Sequence, residues 1–348
     1  MKYDNIYIDN IAYEMAPVVV GSEDIEERLA PIYSALRMSF GQLEALTGIA
    51  ERRWWPVGYR LSDGAIAAAQ KALARSNVTA KDLGALLYTG VCREGLEPAT
   101  ACRVAAAVGV PEDCTVLDLS NACLGVLNGI LDVANRIALG QIRAGMVVSC
   151  ESAREIVEQT LNRVLKTGAL GDFNNALATF TGGSGAVAVL LTDGSFDHGP
   201  LKRQVLGGVT RTAPEHHELC RWYMEPQGDG VYHEVMYTEA VTVMNKGIVL
   251  GASTWKALLA EMDWRPETVD RVICHQVGTT NKEYILAATG IPHEKDFTTF
   301  TFLGNMGTVS LPMTAAIAEE RGFLQAGQQV AYMGIGSGLN CTMLAVRY

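Results

Sequence analysis

The sequence lacks any C-x-x-C pair: its eight cysteines are scattered singly through 348 residues. This removes the usual sequence signals for a zinc ribbon or a dithiol redox centre, and no metal or cofactor is expected. No stretch of about 18 uncharged apolar residues occurs, so no membrane span is expected. Basic residues are in deficit, 28 Lys and Arg against 38 Asp and Glu, for a formal charge of −10. A nucleic-acid binder would show the opposite balance. The opening stretch "MKYDNIYIDNIAYEM" carries acidic residues and has no signal-peptide core. Together with unpaired cysteines, it points to reduced thiols and a cytoplasmic setting. No low-complexity linker divides the chain.

What is present is a globular, rather apolar chain with a duplicated plan. It is 49% hydrophobic, 19% charged and contains 35 glycines. A strand pattern at 82–90 is followed by a helical stretch, a turn at 108–113, a strand and helix around Cys123, and a further strand at 144–150. The same order returns at 269–276, 289–296, 297–320 and 327–338. Gly109-Val110-Pro111 and Gly290-Ile291-Pro292 mark the same corner in each copy, and Asn121 and Asn305 fall at matching strand-to-helix turns. Strands alternating with helices predict an α/β fold, its parallel sheets covered on both faces. The two copies would pack about a pseudo-twofold axis. Sites in such sheets lie at the carboxyl ends of strands, which would bring Cys123, His275 and Asn305 toward one pocket. The stretch "FTGGSGAVAVLLT" (180–192) reads as a glycine turn feeding a buried strand. The segment 193–240 reads as polar and irregular, a lid or insertion.

Cys123 sits where the β-rich run Thr115–Leu119 gives way to apolar residues at helical spacing, Leu124, Leu127, Ile130, Leu131, Ala134 and Ile137. A first-turn cysteine meets unpaired amides and the positive end of the helix dipole, which favours a thiolate. The bland alternative is an inert buried thiol. His275 closes an apolar strand and Asn305 lies between glycines; each has an ordinary structural reading as well, a satisfied polar residue and a turn asparagine. The glycine-rich "GIGSGLNC" (334–341) fits neither the dinucleotide fingerprint nor the phosphate loop. It can be a plain hairpin or a turn exposing amides as an oxyanion hole. A cysteine able to carry an acyl group, with imidazole and amide donors for an enolate oxygen, is equipment for carbon–carbon bond formation.

The strings "NACLG", "CHQ", "GNMGT" and "GIGSGLNC", with "LTGIAERRWW" near the start, resemble the thiolase superfamily over nearly the whole chain, in particular ketoacyl synthase III-like condensing enzymes. The resemblance implies duplicated αβαβα layers with pseudo-twofold halves. It implies an N-terminal half at 1–192 carrying the nucleophile, the lid or insertion at 193–240, and a C-terminal half at 241–348 carrying His275 and Asn305. It also implies that Cys123 is acylated, that His275 and Asn305 bind a thioester oxygen, and that Gly336, Ser337 and Gly338 help form the oxyanion hole.

The stretch "LEPATA" (96–101), with "GGVTRTAPEHHELCRW" and "GIGSGLNCTMLAV", is similar to the OleA family, which joins two fatty acyl-CoAs. Decarboxylating synthases obtain their carbanion by losing CO2, whereas two unactivated thioesters need a base to remove an α-proton. By resemblance that base is Glu97, reaching across a homodimer into the partner's site; its bland reading is a solvated loop charge. The expected activity is a non-decarboxylative Claisen condensation of acyl-CoAs through an acyl-cysteine. Three rivals remain: a decarboxylating 3-oxoacyl-ACP synthase III, a hydroxymethylglutaryl-CoA-synthase-like enzyme, and an inactive partner subunit. An acyl-carrier-protein user needs a basic patch, for which Arg52, Arg53, Lys202, Arg203 and Arg211 are candidates.

Overall fold

The computed structural model describes residues 1–168, 170–197, 201–226 and 230–348. Nine strands form one mixed sheet: β1 Ile6–Met15, β2 Leu83–Thr89, β3 Thr115–Leu119, β4 Ala144–Glu151, β5 Gly185–Asp193, β6 Arg203–Thr212, β7 Arg271–Cys274, β8 Gln329–Gly336 and β9 Asn340–Arg347. Their spatial order is β7-β8-β9-β6-β1-β5-β4-β2-β3. The duplication is explicit in this order. In the N-terminal half, β2 pairs in parallel with β3 and β4, and β5 then runs antiparallel between β4 and β1. In the C-terminal half, β7 pairs in parallel with β8, and β9 runs antiparallel between β8 and β6. Within the sheet the halves are joined where Tyr7 and Ile8 of β1 face Gln204 and Arg203 of β6.

Six helices cover this sheet: α1 Leu61–Ala74, α2 Thr100–Val108, α3 Gly125–Ala138, α4 Ala240–Met262, α5 Thr279–Thr289 and α6 Ser310–Glu320. Strand alternation sends neighbours to opposite faces. Leu87 and Val147 face inward, onto Leu127, Ile130 and Leu131 of α3. Leu86, Tyr88, Met146 and Val148 face outward, onto the alanine-rich α1 and onto α2. In the second half, Ile273, Val330 and Tyr332 face inward with Leu311 and Ile317 of α6, while Val272, Ala331 and Met333 face outward toward Trp255, Leu258 and Leu286. The result is five layers, with α3 and α6 as the central one. Each fully buried leucine or isoleucine there contributes about 1.5–3 kcal/mol.

Three sequence expectations change. The sheets are mixed, because the tight turn between β8 and β9 permits only antiparallel pairing. Asn305 does not follow a strand. The expected third strand of the C-terminal half is reduced to a single parallel bridge, Val272 to Asp296, and then a short helix, Phe300–Leu303. The buried Gln276 side chain explains this: its carbonyl accepts from the Thr299 and Phe300 amides at 2.9 and 3.2 Å, in place of a strand partner. The segment 193–240 is not irregular: it holds β6, a sheet member, and a hairpin of Cys220–Pro226 with Tyr232–Thr238. Residues 198–200 and 227–229 of that segment lie outside the described residues. Among the described residues, no helix is long and apolar enough to cross a membrane.

The halves are also stitched by Gly183, whose amide donates to the Asn305 carbonyl at 2.8 Å. A methyl group on Gly183 would overlap the Leu303 carbonyl oxygen. Gly183→Ala is therefore expected to cost about 1–3 kcal/mol. Urea denaturation measures this directly, and an unmoved midpoint would refute the packing assigned to that crossing.

Candidate active site

Cys123 lies in a 3-10 turn, Ala122–Leu124, between β3 and α3. Ala122 holds a left-handed φ of 46°. That conformation costs a residue with a side chain about 1–2 kcal/mol, so the surrounding packing must enforce it. The enforcement is visible. The Val126 amide, in the first turn of α3, donates to Thr308 Oγ1 of the other half at 2.7 Å. On the other side, Gly336 at the end of β8 lies so close that a Cβ there would sit 3.3 Å from the Cys123 amide nitrogen. Asn121 is held by Asn128 at 2.6 Å and by Asn340 at 3.3 Å. Cys123 is thus gripped by turns from both halves.

The thiol is not the low-pKa group that a helix start suggests. Burial pushes it up to about 12, and the nearby Cys220 and Glu151 add to the rise. Loss of water outweighs the helix dipole here. Cys123 therefore rests as a thiol at neutral pH.

His275 follows β7 directly, and its amide donates to the Met333 carbonyl on β8 at 3.0 Å. Its ring is half-buried, and desolvation drops its pKa to about 4. The imidazole is therefore neutral at pH 7, one nitrogen donating and the other accepting. Nδ1 is buried without a hydrogen-bond partner among the described residues. The adjacent Gln276 donates to the Cys274 carbonyl at 2.8 Å while capping residues 299 and 300, so it ties the histidine to the segment leading to Asn305. Asn305 is fixed at three points. Its amide donates to Thr181 at 2.9 Å, its carbonyl accepts from Gly183, and its Oδ1 accepts from the Gly307 amide at 3.1 Å. With Oδ1 engaged, Nδ2 is the end left to donate. The loop Gly336-Ser337-Gly338 is the β8–β9 hairpin turn, with Gly338 at φ 79°. It is also the turn that presses on Cys123.

Glu97 is different. It lies on the loop between β2 and α2, exposed beside a fully exposed Leu96. The groups that bear on the Cys123 thiol within its own chain are Cys220 and Glu151, and Glu97 is not among them. Of the five candidate carrier-protein patch residues, Lys202 and Arg211 are exposed, while the other three are engaged within the chain. Arg52 is completely buried and bonded to Ser22, Arg53 pairs with Glu51 at 3.1 Å, and Arg203 makes a two-pronged pair with Glu319 at 2.7 and 2.5 Å.

Sequence reading missed three residues at this site: Gln276, Cys220 and Glu151. Cys220 starts the hairpin within the supposed irregular segment, and its sulfur accepts from Ser337 Oγ at 3.2 Å. Glu151 is a buried carboxylate ending β4. A charged residue closing an otherwise apolar strand at the carboxyl edge of the sheet was the available signal.

The chain matches two family models: Thiolase, N-terminal domain, over residues 60–172, and the 3-oxoacyl-[acyl-carrier-protein] synthase III C-terminal model over residues 259–348. It is 56% identical to an acyl-CoA:acyl-CoA alkyltransferase of Shewanella oneidensis, over 100% of both chains. It is 34% identical to the Xanthomonas campestris protein of the same name, over 99% of both. A β-ketoacyl-[acyl-carrier-protein] synthase III of Rhodospirillum rubrum is 26% identical over 86% of this chain and 88% of its own. Among solved structures, a cysteine-to-serine variant of Xanthomonas campestris OleA with bound lauric acid and lauroyl-CoA superposes with TM-score 0.91 at 34% identity, covering 99% of each chain. A glutamate-to-glutamine variant of the same protein superposes with TM-score 0.93 at 34% identity, over 100% of this chain and 98% of that one. The chain belongs to the OleA family of acyl-CoA:acyl-CoA alkyltransferases, within the thiolase superfamily.

Proposed function

We propose that this chain is a cytoplasmic, homodimeric acyltransferase that joins two fatty acyl-CoAs without decarboxylation. The observation that carries the reading is the Cys123 thiol gripped by turns from both halves, in a chain 56% identical to an acyl-CoA:acyl-CoA alkyltransferase. In the first half-reaction, Cys123 sulfur attacks the carbonyl of one acyl-CoA. The sulfur–acyl bond forms, the CoA sulfur leaves, and the thiol proton passes to it. Amides at the Gly336–Gly338 turn and at the start of α3 stabilise the tetrahedral oxyanion.

In the second half-reaction, Glu97 takes an α-proton from a second acyl-CoA. Donors from His275 and Asn305 Nδ2 hold the enolate oxygen. A neutral imidazole suits this role, since it polarises the oxygen without itself giving up a full proton. The enolate carbon attacks the acyl-cysteine, the carbon–sulfur bond breaks, and the proton held by Glu97 returns to the Cys123 thiolate. The product is a 2-alkyl-3-ketoacyl-CoA, or its β-keto acid after hydrolysis.

The exposure of Glu97 supports a dimer in which it serves the partner's Cys123. The edge strand β3 supports the same assembly, because among the described residues no strand pairs with its outer side. All eight cysteines are free, which fits a reducing compartment.

The two half-reactions separate the roles. Cys123→Ser should lose acyl transfer altogether, as seen by mass spectrometry of the protein after exposure to acyl-CoA; turnover by this variant would remove Cys123 from the chemistry. His275→Ala and Asn305→Ala should each slow condensation about 10²–10³-fold while acylation is largely kept. Equal loss in both steps would contradict the assignment to the enolate.

Glu97→Gln should acylate normally yet condense about 10²–10⁴-fold more slowly. A mixed dimer of one Cys123→Ser chain and one Glu97→Gln chain should regain a single working site. An inactive mixed dimer would exclude the cross-subunit base.

The thiol at about 12 sets a pH signature. The thiolate fraction grows tenfold per pH unit below the pKa, so the rate of Cys123 alkylation by iodoacetamide should climb steadily from pH 7 to pH 10. A plateau near pH 7 would show that the helix dipole wins after all.

A further inference from the structure

Among the described residues, Glu151 is the buried carboxylate that bears on the Cys123 thiol, and the proposed mechanism gives it no part. Its oxygens accept from the Val91 amide at 3.0 Å and from the Cys92 amide at 3.1 Å. The Thr308 amide also favours its charged form, and the Cys92 thiol itself donates to the Ser152 carbonyl at 3.3 Å. Two glycines make room for it: a Cβ on Gly90 would lie 3.1 Å, and one on Gly307 3.3 Å, from Oε1. No salt bridge to it occurs among the described residues, and burial raises its carboxyl above the usual range. A buried carboxylate balanced by amides alone is costly, so its retention calls for a use.

Its partners belong to two different working parts. Val91 and Cys92 begin the loop that carries Glu97. Gly307 and Thr308 belong to the turn that carries Asn305, and Gly307 donates directly to Asn305 Oδ1. Thr308 also grips the helix behind Cys123. We propose that Glu151 is a positioning residue that sets the base loop and the enolate-donor turn as one unit, and so couples the two sites of the dimer. This rests on the reading of Glu97 as a base that serves the partner's site. Through Val91 and Cys92, Glu151 acts on the partner's reaction; through Gly307 and Thr308, it acts on its own.

Glutamine matches glutamate in length but turns one acceptor into an N–H2 donor, which cannot receive a backbone amide. Glu151→Gln should therefore release one of the loops while leaving the fold filled. Misplacement of a reacting group by about 1 Å costs up to about 10²-fold in rate.

The test uses mixed dimers with one complete site: a first chain with Glu97→Gln that supplies Cys123, and a second chain with Cys123→Ser that supplies Glu97. Adding Glu151→Gln to the second chain only should slow condensation about 10- to 100-fold, while acylation of the first chain's cysteine stays within about threefold. Adding it to the first chain only should also slow condensation, through Asn305. A substitution that merely loosens its own surroundings would leave the reaction untouched when placed in the chain that has no cysteine. Parent-like condensation with Glu151→Gln in the second chain overturns the proposal, as does an equal loss of acylation and condensation. If the parental mixed dimer is itself inactive, the cross-subunit reading has failed and the coupling falls with it, which is a distinct result. Should Glu151→Gln not give a folded dimer, Glu151→Asp is read in the same way. It keeps the charge but withdraws it by one methylene from the amides, and the same selective loss is expected.

Discussion

The bond from the Val126 amide to Thr308 Oγ1, 2.7 Å long, joins the two halves just behind Cys123. In the proposed mechanism each half of the fold supplies part of the site. The first brings Cys123 at the start of α3. The second brings His275 after β7, Asn305 before α6 and the Gly336 turn after β8. The central helices must pack closely for these ends to converge. Gly125, Gly307 and Gly336 are the positions where a side chain would intrude between them. The strained Ala122 dihedral is a consequence of that convergence, held from both sides.

The same burial that brings the groups together sets their protonation. Cys123 is held as a thiol and His275 as a neutral ring, both by loss of water. In the proposed mechanism the site therefore works with hydrogen bonds and a neutral nucleophile rather than with a preformed ion pair. Such a site suits long acyl thioesters, which bring little charge near the reacting carbon. In the proposed mechanism a separate group takes the α-proton, because the His275 ring is already engaged in donating to the enolate oxygen.

Much of this could be read from the sequence because it is local. Thr115–Leu119 is a strand as its residues suggest, and the helical spacing from Leu124 to Ile137 becomes α3. The repeated Gly-Val-Pro and Gly-Ile-Pro corners marked the duplication, which the strand order of the two halves repeats. The parts that could not be read depend on contacts between distant segments. Gln276 replaces a strand pairing with side-chain bonds to residues 299 and 300, so Asn305 follows a short helix instead of a strand. Gly207 and Gly208 hide β6, because they break the hydrophobic alternation where the strand packs tightly against Met1 on one side and Leu344 and Met343 on the other. Glu151 gains its meaning only from Val91, Cys92 and Thr308, which no spacing rule connects to it. The sign of the Cys123 shift was lost for a similar reason: the dipole is visible in sequence, whereas depth of burial is not.

The central claim is that two ordinary acyl thioesters, with no malonyl group, are sufficient for carbon–carbon bond formation. The direct measurement is to incubate the purified protein with one saturated acyl-CoA as sole substrate and identify the products by mass spectrometry. The account predicts a β-keto acid, or the ketone derived from it, built from two copies of that acyl chain. A product that forms only when a malonyl thioester is added would contradict it.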